Sequence, residues 1–346
     1  MYSIACQVKI LSRNILVLSD HLKRSWPTSA ASIYLAYHHP LAENGSDYDG
    51  TTRIVFDAFL KGTLKKLATN PQQLQSFIAD YIDDLGAFVE AFQKLVADTA
   101  TDIKLYKLFI ILGLSAKLYP LTIRLYQRNL LAKIALGSNV SLLHSIEVCD
   151  VRVYKTRGTD PSKDIGNISH GSKAASEQEI STALRNFTQG FMPDGTFQTY
   201  LSQDMYHNGA LLLFLIKNDE AVLGHPYAHA SLVLLVTKQI TREHIMAQTP
   251  NWGVNDQGFT DETDFKNHLH MFGNLTLLTK DENSSFSNAP THTKMTDPNM
   301  YAASQFAETK QLVHQYRMHN NDFSKQHLLT RTATLSKFVL SEWGIW

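Results

Sequence analysis

The chain has 346 residues, 44% hydrophobic and 18% charged, a composition that excludes a generally disordered or collagen-like polymer and predicts two or three compact units. Its 32 basic and 32 acidic side chains cancel, so no overall positive field announces a nucleic-acid or anionic-membrane partner. Cys6 and Cys149 are far apart and fit no disulfide framework or zinc spacing, which points to a reducing, cytoplasmic setting.

Apolar residues at three- and four-residue spacing predict helices over Val55 to Leu67, Leu74 to Asp98 and Ile103 to Leu118. Proline is tolerated in the first turn of a helix, so Pro120 is expected to open a further one that runs to Leu136 and is closed by Gly137. Residues 1–140 are read as a helical domain whose 15 basic and 11 acidic side chains suit a solvated helical surface. His38, His39 and Pro40 read as a loop. The N-terminus lacks the charged-then-apolar order of a signal peptide. The longest apolar runs, Leu108 to Ala116, Ala210 to Ile216 and Leu232 to Val236, are too short to span a bilayer.

Residues 141–232 form a predicted helical connecting region. Glycines at 158, 166 and 171 and Pro161 predict a long polar loop at 156–176, followed by a helix from about Glu177 to Phe191 and another through Tyr206 and Ala210 to Leu215. Ser231 to Val236 is a short β-prone run leading into Thr241 to Ile245, and Asn274 to Leu278 reads as a second short strand. A turn or helix begins at Asp281, and two helical patterns cover Met300 to Arg317 and Phe323 to Glu342.

Nine of the 15 histidines fall between His225 and Trp346, which directs attention to that third of the chain. Glu243 and His244 are adjacent at a predicted strand end, and Asn274 and Asn283 follow. A magnesium-like ion prefers carboxylate and amide oxygens, which makes Glu243 and Asn283 sensible ligands. His244, left free of metal, can take a proton from a water that attacks phosphorus. Asn274 could hold this base in place. Neighbours in a strand point to opposite faces, so Glu243 and His244 can share a site only where the strand ends or bulges. His268 and His270 are expected to be structural more than DNA-contacting, and His225 with His229 is a weak metal candidate because Gly224 and Pro226 argue against a helix there. Tyr119, Tyr126, Phe286 and Trp343 are expected in the core.

At these residues the sequence resembles the C-terminal nuclease domain of the GmrSD-type, modification-dependent (type IV) restriction endonucleases, a branch of the HNH or His-Me finger nucleases. The resemblance rests on Glu243-His-Ile245 with Gln248, on Phe272-Gly-Asn-Leu-Thr-Leu-Leu278, on Asn283-Ser-Ser-Phe-Ser-Asn288 with Lys294, and on a closing helix with Leu329, Arg331 and Trp343. It covers about residues 200–346; Tyr119 to Tyr126 is more faintly similar to the family's middle region. Ala247 stands where the family usually has a proline. The resemblance implies a mainly α protein, a helical scaffold carrying a small ββα-metal (His-Me finger, HNH-like) core at about 235–295, with 233–346 as the nuclease domain. It also implies the roles: His244 as general base positioned by Asn274, Glu243 and Asn283 as ligands of Mg2+ or Mn2+, and Lys294 and Asn288 in phosphate contact and support. The implied activity is metal-dependent DNA endonuclease cleavage, by nicking or double-strand cutting, in a restriction system acting in antiviral defence. The partners would be modified phage DNA and a sensor NTPase domain, whose Asp-Gly-Gln-Gln-Arg motif does not occur in these 346 residues. A non-catalytic DNA- or partner-binding module of a defence complex and an RNA nuclease are the alternatives.

Overall fold

In the computed structural model, residues 62–249 and 253–346 are described. The expected loop at His38 to Pro40, Cys6 and the first part of the Val55 to Leu67 helix lie outside them. The described residues are mainly helical with one two-stranded sheet, and they divide into two compact units, one holding residues up to Tyr154, Gly158–Phe191 and Ile345–Trp346, the other Lys155–Arg157 and Met192–Gly344.

The first unit contains α1 (Gly62–Leu67), α2 (Pro71–Thr99), α3 (Ile103–Tyr106), α4 (Tyr119–Gln127), α5 (Leu142–Cys149), α6 (Ser162–Gly171) and α7 (Glu177–Phe191). Asn70 caps α2 by accepting from the amide of Gln73 at 3.1 Å, and Pro71 occupies the first turn, where no amide donor is needed. Phe88, Phe92, Leu95 and Val96 make the buried face of α2. Three sequence expectations need correction here. The Ile103 to Leu118 helix is interrupted: after α3 the chain widens into a π-helix at Lys107–Ile111 and turns at Gly113, whose φ of +67° suits glycine. The Pro120 helix stops at Gln127, because Asn129 adopts φ +56° and Leu130 bonds back to Leu125; Ile134 instead bridges Ser141 across Gly137. The polar stretch 156–176 is not one loop. It holds α6, which is anchored by the buried Ile165 and Ser169 and by Ser172, buried just past its end, so a few inward residues outweigh the helix-weakening glycines.

The second unit contains α8 (Asp194–Leu201), α9 (Leu211–Leu223), α10 (His229–Thr237), β1 (Ile240–His244), α11 (Glu262–Leu269), β2 (Leu275–Thr279), α12 (Lys280–Phe286), α13 (Thr291–Thr296), α14 (Ala307–Met318) and α15 (Lys325–Glu342). The expected β-prone run Ser231 to Val236 is helical. A short apolar run does not by itself distinguish helix from strand; here Leu232 and Leu235, three apart, are buried while Leu234 is exposed. The strand begins only after Gln239, at φ +56°, turns the chain.

β1 and β2 are antiparallel, pairing Ile240 with Thr279 through His244 with Leu275, and β2 is buried along its whole length. Below β2, Thr276 Oγ1 donates to Glu308 Oε2 at 2.6 Å and Thr309 Oγ1 donates to Leu277 O at 2.8 Å. α15 fastens the segment before β2: Arg331 Nη1 donates to the carbonyls of Gly273 and Leu275 at 2.8 and 2.9 Å, and its Nη2 pairs with Glu308. Trp343, fully buried, packs on Phe214 with ring centroids 4.9 Å apart. Tyr119 and Phe286 are buried too, and Tyr126 is half-buried with its hydroxyl on Asp98.

Gly273 is held against α15 so closely that a Cβ there would lie 2.0 Å from the carbonyl oxygen of Leu328 and 2.8 Å from the amide nitrogen of Thr332. Both are backbone atoms and cannot rotate away. Gly273→Ala is therefore expected to cost about 3 kcal/mol, the upper end of overpacking effects, measured as a lower denaturant midpoint; an unchanged midpoint would contradict the close packing.

Candidate functional site

Glu243, His244, Asn283, Asn288 and Lys294 meet around a cleft of about 200 Å3 that Arg242, Tyr206 and Gln248 also line. The strand-face difficulty is resolved by position: β1 ends at His244, and both side chains reach the cleft from the point where the ladder stops. Asn274 makes that stop. Its carbonyl accepts from the Ile245 amide at 2.8 Å, its Oδ1 accepts from the Met246 amide at 2.8 Å, and its Nδ2 donates to Leu269 O at 2.8 Å. It therefore fixes the backbone that leaves His244 and does not touch the imidazole. Ala247, in place of the usual family proline, is buried at this turn.

Glu243 is buried, and its Oε1 accepts from Lys294 Nζ at 2.5 Å and Tyr301 Oη at 3.3 Å. Burial pushes its carboxyl above the usual range, while the Lys294 ammonium works in the opposite direction. Lys294 differs from its expected role in phosphate contact. Its side chain is 1% exposed, and Nζ also donates to the carbonyls of His244 and Ile245. With three acceptors facing three N–H bonds, it holds the underside of the site together.

Asn283 stands on the first turn of α12, set by a capping box in which the Glu282 carboxylate takes the Thr279 amide at 2.7 Å. Its Nδ2 donates to Thr241 Oγ1 at 3.1 Å, which commits the nitrogen and leaves Oδ1 as the atom suited to a cation. The helix ends at Ser287 with φ +49° and ψ −139°, a costly backbone for a non-glycine residue, next to the exposed Asn288 at the cleft rim.

His244 is buried, with Nδ1 3.0 Å from Gln248 Nε2 and Nε2 3.0 Å from His270 Nδ1. Its pKa is lowered to about 3, first by burial and then by His270 and the Lys294 charge. The ring is therefore neutral near pH 7, the form a base requires. An unfolded His244 protonates near its ordinary 6.5, so the folded state is at no disadvantage above that pH and loses stability as pH falls from 6.5 toward 3. The thermal midpoint of the wild type is accordingly expected to drop further between pH 7.5 and 5 than that of His244→Asn; equal drops would contradict the buried neutral ring.

The sequence gives His270 only a structural reading and does not mark Tyr206 or Arg242 as site residues. Tyr206 packs on His244 and His270 with centroids at 4.6 and 5.2 Å, and its carbonyl accepts from Arg242 Nη1 at 2.6 Å. The signal for His270 was its place shortly before β2, whose first residue, Leu275, pairs with His244. His268 is structural, its Nδ1 lying 2.7 Å from Asp264 O, and His225 Nδ1 lies beside Pro226 O.

Among the described residues no group of three or more His, Cys, Asp or Glu is arranged to hold a metal ion. The oxygens of Glu243 and Asn283, with water and phosphate completing the shell, are the donor set that suits a hard ion such as Mg2+. No helix among the described residues is long and apolar enough to cross a membrane.

Residues 201–338, less than half of the chain, match the family model described as GmrSD restriction endonucleases, C-terminal domain. This match coincides with the resemblance read from the motifs for this part of the chain. No curated protein and no solved structure matches the chain.

Proposed function

We propose that the second unit is a metal-dependent endonuclease of the HNH, or His-Me finger, type, with β1, β2 and α12 as its ββα-metal core. The observation that carries this reading is the convergence of Glu243, His244 and Asn283 on one cleft where β1 ends. His244 takes a proton from the attacking water, Asn274 fixes the turn that presents it, and Lys294 with Tyr301 orients the Glu243 carboxylate. Glu243 and Asn283 would hold Mg2+ or Mn2+, which supplies charge stabilisation at the leaving oxygen. Asn288 stays at the rim, in reach of substrate.

The phosphate contact expected of Lys294 passes to Arg242, which lines the cleft and has one nitrogen committed to Tyr206 O, leaving further donors for a phosphate. Arg242→Gln should raise KM for DNA and shallow the salt dependence by about one counterion, read from cleavage rates across a salt series. An unchanged slope would remove the arginine from the substrate path.

DNA is favoured over RNA by the restriction family of residues 201–338, and the test is direct: with Mg2+, supercoiled plasmid is converted and structured RNA is spared. The reverse preference would establish the RNA reading. Residues 225–346 carry 10 basic and 11 acidic side chains, so phosphate neutralisation alone gives modest affinity. This near-neutrality supports a division of labour in which a sensor domain or subunit selects modified phage DNA. Equal cleavage of modified and unmodified DNA, with or without a supplied sensor, would contradict it.

A further inference from the structure

We propose that His270 is the positioning residue of His244: it accepts the Nε2 proton, fixes the imidazole as the Nε2–H tautomer, and leaves Nδ1 as the nitrogen that works in the cleft. The inference rests on the nuclease reading for its catalytic meaning, and on the geometry of two rings for its structural one.

A neutral imidazole has one donor and one acceptor nitrogen. Both nitrogens of His244 are engaged, and the two partners differ in place. Gln248, 3.0 Å from Nδ1, is exposed and lines the cleft, whereas His270, 3.0 Å from Nε2, is half-buried and lies outside the lining. A water attacking substrate comes from the cleft, so the lone pair that receives its proton belongs on Nδ1. That choice places hydrogen on Nε2, where His270 Nδ1 accepts it. The Gln248 amide, donating to Nδ1 in this state, is the group the water displaces. After the transfer His244 carries both protons, and His270 Nδ1 still accepts from Nε2, so the orienting bond survives the step.

His270 is fixed for this duty. Its carbonyl accepts from the Met205 amide at 2.8 Å, its ring is stacked on Tyr206 at 27° between planes, and His207 meets it edge-on at 5.4 Å. Asp204, bonded to His207 at 3.1 Å, bridges through its backbone to Met271. The base-and-orienter pairing is that of nucleophilic and hydrolytic sites generally, with a neutral imidazole in the place more often held by a carboxylate.

The test uses three proteins, wild type, His270→Phe and His270→Asn, each checked by thermal melting. Asn places Oδ1 where the histidine has Nδ1 and can accept the same proton; Phe keeps the ring and cannot. His270→Phe should lose about 10–100-fold in kcat, as losses of outer-shell partners do, with KM for plasmid held and His270→Asn recovering most of the loss. Nitrogen-15 NMR of the metal-free, substrate-free chain should show His244 as the Nε2–H tautomer in the wild type and in His270→Asn, and a mixture in His270→Phe. An Nδ1–H tautomer in the wild type would overturn the proposal, as would a Phe variant with wild-type turnover or an Asn variant as slow as the Phe one. If the wild type cleaves nothing, the nuclease reading fails and the tautomer spectrum still decides the role of His270.

Discussion

His244→Ala is expected to lower plasmid cleavage by about 10²–10⁴-fold, the usual worth of a positioned acid or base, with the fold retained. Removal of the ring leaves Glu243 and Asn283 in place, because neither bonds to the imidazole: Glu243 is held by Lys294 and Tyr301, and Asn283 by Thr241. The backbone turn after His244 is held by Asn274 through main-chain groups. Metal affinity should therefore persist in His244→Ala, which isothermal titration with Mn2+ checks. A variant that lost metal binding together with activity would show that His244 is a ligand or a structural support.

Lys294→Met should destabilise the second unit severely. It leaves the Glu243 carboxylate buried without its cation and frees the His244 and Ile245 carbonyls. Breaking a buried ion pair on one side costs about 3–5 kcal/mol, which in a domain of this size lowers the thermal midpoint by roughly 6–20 °C. The cost lies in the unpaired charge, so Glu243→Leu combined with Lys294→Met should recover much of the stability and none of the activity. A single Lys294→Met variant that melts like the wild type but has lost phosphate binding would return the lysine to the substrate-contact role that its sequence position suggested.

Legibility in the sequence followed the range of the interactions involved. The helices α2 and α7 were readable because their apolar spacing is local, as was β2, bounded by polar turns; of the first strand only its end at His244 was. The apolar run at 232–236 was misread because helix and strand share that pattern, and only Leu234, turned to solvent, separates them. Asn274 was read as support for His244, and the structure gives it a backbone route that no spacing could specify. Depth is what the sequence withheld most: Lys294 reads as a surface cation, yet α13 carries it beneath β1 to the buried carboxylate. His270 was obscured for a different reason. Its partner is reached through the turn that precedes β2, a long-range contact between residues 26 apart.

The claim that this cleft is a metal-dependent nuclease site is tested most directly by incubating wild type and His244→Ala with supercoiled plasmid in Mg2+, in Mn2+ and in EDTA. The account predicts conversion to open-circular or linear DNA by the wild type with either ion, none in EDTA, and loss of conversion in the variant. Cleavage that persists in EDTA, or that survives His244→Ala at the wild-type rate, would contradict it.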